Sequence, residues 1–267
     1  MSRRKPFHKR HAGKPSQRPS TGNLGGSFWI YGNHPVTAAL GNPKRRIRRI
    51  LATSQAATEL TASILPASPA LERIEGLDLS ALLPAGSVHQ GLAALVEPLP
   101  MVELGDLLDQ IPPDSPAHLV VLDQVTDPQN VGAILRSASA FGAAGLILTE
   151  RHAAPESGVL AKAASGALDH LDMVRVVNLA RAIEGLKQAG FWCLGLAAEG
   201  EMTLAEAKPS GRIALVLGAE GTGLRRLTRE HCDQLLRLPT SGPIGQLNVS
   251  NAAAVALYEL VRTQAPR

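Results

Sequence analysis

From His118 onward, five short apolar runs recur with helix-length stretches between them, and this alternation limits the possible folds more than any other feature of the chain. The runs are 119–122 (LVVL), 145–148 (GLIL), 173–177 (MVRVV), 191–196 (FWCLGL) and 213–217 (IALVL). Continuous apolar runs of this length suit strands buried on both faces. Strands that alternate with helices predict an α/β fold with a mostly parallel sheet. Helices are expected over 130–141 with Asn130 as cap, over 179–189, and over 250–263 with Ser250 as cap. Such sheets bind ligands beyond the C-terminal ends of their strands, so the chemistry is expected there.

Upstream, residues 28–98 read as a second, small α/β unit. Residues 33–41 (NHPVTAALG) predict a short helix closed by Gly41, and HQGLAALVEP predicts a closing strand ended by Pro98. Between them lies KRRIRRILAT, in which Lys44, Arg45, Arg46, Arg48 and Arg49 surround Ile47, Ile50 and Leu51. Two readings compete for this run: a basic edge that meets an RNA backbone, or a strand with a solvated charged face. Five cations with no acid beside them in sequence favour the first. Residues 99–117 carry Pro100, Pro112, Pro113 and Pro116 just after Pro98 and predict an interdomain linker.

The charge distribution divides the chain further. The net charge is +4. Seven of the 27 Lys and Arg fall in residues 1–27, which hold no acid, leaving 20 basic against 23 acidic residues elsewhere. This segment is expected to be a disordered basic tail, either attracted to phosphates or simply solubilising. Aromatics at 3% argue against single-strand binding by stacked rings. Two cysteines, Cys193 and Cys232, allow no disulfide framework, and His89, His152, His170 and His231 fit no metal spacing, so no metal site is expected. No apolar run approaches the length of a membrane span, and a cytoplasmic protein is expected.

Three segments carry the functional signal. The first, Asp123 to Arg136, leaves a strand through the turn Asp127-Pro128 and enters a helix with Gly132 in its first turn. Arg136 is either a phosphate-holding guanidinium or a surface arginine lying along the helix. The second, Leu217 to Leu224, places Gly218, Gly221 and Gly223 in a loop after a strand, with Glu220 inside it. Its spacing is neither the dinucleotide fingerprint nor a P-loop, and Glu220 suits a cationic or hydroxyl-bearing ligand. The third, Leu238 to Ala252, runs through Pro239, Gly242, Pro243 and Gly245 to Asn248, Ser250 and Asn251 at a helix start. A tight turn and an elaborate helix cap are the plain alternatives for the last two.

In this order and at successive strand ends, the three segments resemble the motifs of the SpoU (TrmH-type) RNA ribose 2′-O-methyltransferases of the SPOUT class. The first matches through Asp123, Asp127, Pro128, Asn130, Gly132 and Arg136. The second matches through Gly218, Glu220, Gly221 and Gly223, and the third through Pro239, Gly242, Leu247, Asn248, Val249 and Ser250. Gln246 stands where the family often has Ser. The resemblance covers roughly 118–264, and the 28–98 unit is similar to the L30e-like substrate-binding domain of many members. It implies a trefoil-knotted domain over 118–267, a homodimer, and S-adenosyl-L-methionine held against Gly218, Leu238, Leu247 and Leu196. It implies catalytic roles for Arg136, Asn130, Glu220, Asn248 and Ser250, with these polar groups fixing Arg136 by hydrogen bonds. Ribosomal RNA, specifically a 23S guanosine, is the expected substrate. Transfer RNA, or a non-catalytic RNA-binding protein on the same scaffold, are the alternatives.

Overall fold

A computed structural model describes residues 26–60, 68–243 and 245–264. The basic tail expectation for residues 1–27 therefore lies almost wholly outside the described residues. The first unit is a four-stranded sheet in the order β1-β4-β2-β3, made of β1 (Phe28–Tyr31), β2 (Ile47–Ala52), β3 (Leu71–Arg73) and β4 (Leu92–Val96). β4 pairs antiparallel with both β1 and β2, while β2 and β3 run parallel. The helices α1 (Asn33–Gly41), α2 (Ser54–Glu59) and α3 (Gly76–Leu82) complete it. α1 has the expected extent, but Gly41 is its last helical residue and not the cap. Asn42 caps it in an extended conformation, its N–H donating to Ala39 O.

The 99–117 segment is more than a linker. It forms α4 (Leu104–Asp109), and Leu107 and Ile111 are buried with Leu119, Val121 and Ile147 in the core of the second unit. The proline-rich composition conceals three leucines at helical spacing, Leu104, Leu107 and Leu108, and these anchor the connection to the sheet that follows.

That sheet has seven strands, all parallel, in the order β7-β6-β5-β10-β8-β11-β9. Five of them are the expected apolar runs: β5 (Ala117–Asp123), β6 (Gly145–Thr149), β7 (Met173–Val176), β8 (Trp192–Leu196) and β10 (Arg212–Gly218). The other two, β9 (Met202–Thr203) and β11 (Gln234–Arg237), are short and half polar, with no continuous apolar run to announce them. Around the sheet lie α5 (Pro128–Ala140), α6 (Gly158–Ala164), α7 (Leu179–Gln188), α8 (Leu204–Ala207), α9 (Arg226–His231) and α10 (Val249–Gln264). β10 inserts between β5 and β8, and β11 then lies beyond β8. This interleaving of late strands among early ones is consistent with the expected knot, a departure from ordinary unthreaded connections.

Two helix starts differ from expectation by a few residues. α5 begins at Pro128, capped by Asp127, whose carboxylate accepts from the N–H groups of Gln129 and Asn130 at 3.2 Å each. Proline at the first helical position has no N–H to leave unsatisfied, so the helix starts two residues before Asn130. α10 starts at Val249, and Asn248 fills the capping role because its Oδ1 accepts from Ser250 N at 2.8 Å.

Candidate active site

The parallel sheet brings the three segments to one edge. Gly218 at the end of β10 pairs with Asp123 at the end of β5, and Leu236 of β11 pairs with Leu196 at the end of β8. Loops leaving these ends meet above the sheet and enclose a cavity of about 710 Å³. Leu196, Gly218, Leu238 and Leu247, the four expected cofactor contacts, all line it.

The glycine loop has a specific backbone shape. Gly221 and Gly223 adopt φ of 76° and 66°, the left-handed region that favours glycine. A Cβ on Gly218 would lie 2.1 Å from Gly223 C and 2.3 Å from Leu224 N, so the loop folds directly over this residue. Asp123 holds the far end of the loop down. It is fully buried, and its carboxylate accepts from Arg225 N at 2.9 Å and Arg225 Nε at 2.6 Å. Arg225 was not legible as a site residue, because the partner that gives it meaning lies 102 positions away.

Four of the five expected catalytic residues form one connected cluster, which meets this cavity through Glu220. Asn130 Nδ2 donates to Glu220 Oε1 at 3.1 Å. Asn248 Nδ2 donates to Asn130 Oδ1 at 3.1 Å and also to Glu220 Oε1. Ser250 donates twice to Asn248 Oδ1, from its N–H at 2.8 Å and from Oγ at 2.6 Å. Those two donors occupy the Asn248 oxygen, which turns its NH₂ toward Asn130 and Glu220. One carboxylate thus accepts from two amides, a geometry that fixes its position while leaving it open to solvent.

Arg136 differs from expectation. It sits exposed on α5, whose buried residues are Val131, Gly132, Ile134, Leu135 and Ala138, and no hydrogen bond or ion pair holds it among the described residues. The cluster does not fix it, because six residues of helix rotate it away from the face that carries Asn130. Gly132, in turn, serves helix packing and not a ligand: its Cβ would lie 2.4 Å from Leu160 O of α6.

The cavity wall carries charged groups that the motifs did not single out. Arg229 pairs with Glu199 and holds its carboxyl below the usual carboxylate range. Arg237 Nη1 donates to Gly200 O at 2.8 Å, which closes β11 onto the turn after β8. Glu199, Arg229 and Arg237 all line the cavity.

The basic run at 44–49 behaves differently from its sequence reading. Arg45 is turned inward, its side chain wholly buried, and so it is not part of an RNA-facing edge. Three acids distant in sequence stand beside the other four cations, one of them shared, and leave the edge with an excess of positive charge. Arg46 and Arg48 pair with Glu97, Arg49 pairs with Glu72 at 2.7 Å, and Lys44 lies 3.7 Å from Asp172. Lys44, Arg46, Arg48 and Arg49 remain exposed.

Residues 117–258 match the SpoU rRNA Methylase family, and residues 29–102 match the family described as RNA 2'-O ribose methyltransferase substrate binding. The chain is 39% identical over 243 residues to the 23S rRNA (guanosine-2'-O-)-methyltransferase RlmB of Escherichia coli K12, covering 88% of this chain and 98% of that protein. It is 41% identical over 239 residues to an uncharacterized tRNA/rRNA methyltransferase of Synechocystis, covering 87% of this chain. It spans only 62% of that relative's length. Among solved structures, the SpoU methyltransferase AviRb of Streptomyces viridochromogenes in complex with the cofactor AdoMet superposes with a TM-score of 0.73 at 30% identity. The superposition covers 91% of this chain and 92% of that one. An AdoMet-bound rRNA methyltransferase of Sinorhizobium meliloti, 24% identical, shares the fold with a TM-score of 0.74.

Proposed function

Because the chain belongs to the SpoU rRNA methylase family, we propose that it moves a methyl group from S-adenosyl-L-methionine to the 2′-hydroxyl of a guanosine ribose in 23S ribosomal RNA. The observation that carries this reading is the hydrogen-bonded cluster of Asn130, Glu220, Asn248 and Ser250, which meets the strand-end cavity through Glu220. The match of 88% of the chain to a 23S rRNA guanosine methyltransferase supports the choice of substrate.

The cavity fits such a cofactor. Its volume lies within the range of sites for ligands of this size. Leu196, Leu238 and Leu247 offer apolar surface to a flat base, and Glu199, Arg229 and Arg237 offer charge to the polar ends. When bound, the cofactor supplies an electrophilic methyl group on a positively charged sulfur. The protein must then align a ribose oxygen with that methyl and help remove the oxygen's proton. Alignment alone removes much of the barrier.

Glu220 places a negative charge at the rim, which favours a cationic ligand and a hydroxyl donor over a pyrophosphate. Asn130 and Asn248 hold that carboxylate in place. Arg136, exposed and without a protein partner among the described residues, is free to grip an RNA phosphate in bidentate fashion. Arg136 is read as the group that orients this phosphate and not as the base. The phosphate it orients accepts the proton from the 2′-oxygen. The exposed cations Lys44, Arg46, Arg48 and Arg49 are read as an RNA-facing edge of the 28–98 domain, with the chemistry in 118–267.

We infer a homodimer, supported by Val255 and Tyr258 of α10, which stand 47% and 54% exposed although both are large and apolar in part. We infer a cytoplasmic site of action. Incubating the purified protein with radiolabelled cofactor and either ribosomal or transfer RNA tests the reading. Label in ribosomal RNA alone supports it. Label in transfer RNA alone assigns the substrate to the other class, and label in neither supports an RNA-binding protein without methyl transfer.

A further inference from the structure

The Arg45 guanidinium is the most deeply buried charged side chain of the small domain, and every acidic group it meets belongs to the large one. Its Nε donates to Asp169 Oδ1 at 2.7 Å, and its Nη1 donates to Glu156 Oε2 at 3.2 Å and to Glu97 O at 2.9 Å. Asn42 adds a second tie, its Nδ2 reaching Asp169 O at 3.1 Å and Oδ1 at 3.2 Å. Leu99 N, where the chain leaves the small domain, donates to Glu156 Oε2 at 3.3 Å. The Asp169 and Glu156 side chains are themselves only 2% and 12% exposed.

The surface around this cluster is apolar and closely fitted. Ile30, Val36, Ala39 and Val96 share one continuous core with Leu160, Ala161, Ala164 and Leu168. Gly158 lets β1 approach α6 so closely that a Cβ there would lie 2.3 Å from Trp29 O. Domains joined by a linker move relative to each other unless a large apolar interface limits them, and here one keeps the two in contact. Apolar contact is non-directional, however, and small residues on both sides permit sliding. A buried guanidinium between two carboxylates is directional. It also contributes little net stability, since desolvation offsets most of the attraction, and Nη2 is buried without a partner among the described residues. An arrangement that costs about as much as it returns, yet fixes geometry, is suited to setting register.

The register it sets points at the active site. Asp169 and Glu156 flank α6, α6 packs closely on α5 at Gly132, and α5 starts at the Asp127 cap beside Asn130. On the other side, Arg46, Arg48 and Arg49 continue directly from Arg45 onto β2. We propose that Arg45, with Glu156 and Asp169, is a positioning residue that fixes the RNA-facing edge of the small domain at one distance from the methyl-transfer site. This rests on the methyl-transfer reading above. The enzyme would then accept an RNA by the span between two contacts, in addition to what surrounds the target ribose.

The test compares wild type with Arg45→Ala, with Arg45→Lys, and with a Glu156→Gln/Asp169→Asn double variant in case the first does not fold. Each is assayed on a folded ribosomal RNA fragment and on a minimal hairpin carrying the target, with cofactor affinity measured separately. A loss of positioning lowers kcat/KM on the folded fragment by about 10- to 100-fold. Turnover of the hairpin and cofactor affinity stay within about twofold, and Arg45→Lys recovers part of the loss. Small-angle scattering of the same variants shows an increased radius of gyration, a readout independent of activity. Equal losses on both RNAs, or an unchanged fragment rate, overturn the proposal. So does an unchanged radius of gyration in the Arg45→Ala or the double variant. If wild type methylates no RNA, the functional reading fails instead, while the scattering result still decides whether Arg45 holds the domains in register.

Discussion

Asn130 and Glu220, ninety positions apart, are joined by a 3.1 Å hydrogen bond across the loops of two strands that are neighbours in the sheet. That contact links the first and second segments, and Asn248 from the third bonds to both residues. The cluster is the point at which three separate sequence signals become one site.

Removing the shared acceptor is therefore expected to disperse the cluster. In Glu220→Ala, Asn130 and Asn248 lose their common partner, and methyl transfer falls by about 100-fold from misplacement of the reacting groups. Glu220→Gln keeps an acceptor and loses less. Because Glu220 itself is exposed, thermal stability changes by no more than about 0.5 kcal/mol. Steady-state kinetics and a melting curve on the same preparations check both halves.

Arg136 carries a contrasting expectation. It makes no partner among the described residues, so Arg136→Ala leaves the melting temperature unchanged while transfer drops steeply. Arg136→Lys keeps the charge without the planar fork and recovers only part of the rate. Near-normal transfer by Arg136→Ala contradicts its role.

These two residues show how far the sequence is legible. The apolar runs marked β5, β6, β8 and β10 because strands inside the sheet are covered on both faces, and β7 at the edge kept enough of the pattern to be read despite Arg175. The resemblance to the SpoU motifs marked Asn130, Glu220, Asn248 and Ser250 as a set. Spatial order was not legible: nothing local places β10 between β5 and β8 or reveals β11 in Gln234-Leu235-Leu236-Arg237. Arg45 reads as one cation of five, and only acids more than a hundred positions away turn it inward.

The loop over Gly218 leaves no room for a side chain. In Gly218→Ala the new Cβ meets backbone at 2.1 and 2.3 Å, so the loop has to shift away from the cavity. Cofactor affinity is expected to weaken by about tenfold or more, which is ~1.4 kcal/mol. Calorimetric titration of the variant measures this directly, and unchanged affinity shows that the loop does not hold the cofactor.

Asp123→Asn tests the anchor of the same loop. It removes the charge from a buried acceptor of two hydrogen bonds, at a cost of about 1–2 kcal/mol after allowance for the half-exposed Arg225. Chemical denaturation of the variant and wild type compares the two, with an unchanged midpoint as the contrary result.

Both thiols are pushed up to about 12, by burial first and by the nearby Asp233 carboxylate second. The folded state thus holds Cys193 and Cys232 protonated where the unfolded chain releases the protons near its ordinary value of about 8.5. Between these limits the unfolded state binds fewer protons, so stability falls as pH rises from about 9 to 12. A Cys193→Ala/Cys232→Ala variant is expected to show a shallower decline over this window, measured by denaturation at stepped pH. An identical slope excludes the thiols as the cause.

The measurement that bears most directly on the central claim is nucleoside analysis of 23S ribosomal RNA after incubation with the protein and isotopically labelled S-adenosyl-L-methionine. Digestion to nucleosides followed by mass spectrometry is expected to place the label on the ribose of a guanosine, as 2′-O-methylguanosine. It is expected to find about 100-fold less in RNA treated with Glu220→Ala, and a steep drop with Arg136→Ala, at equal exposure. Label on a base, or no label in any RNA offered, contradicts the account.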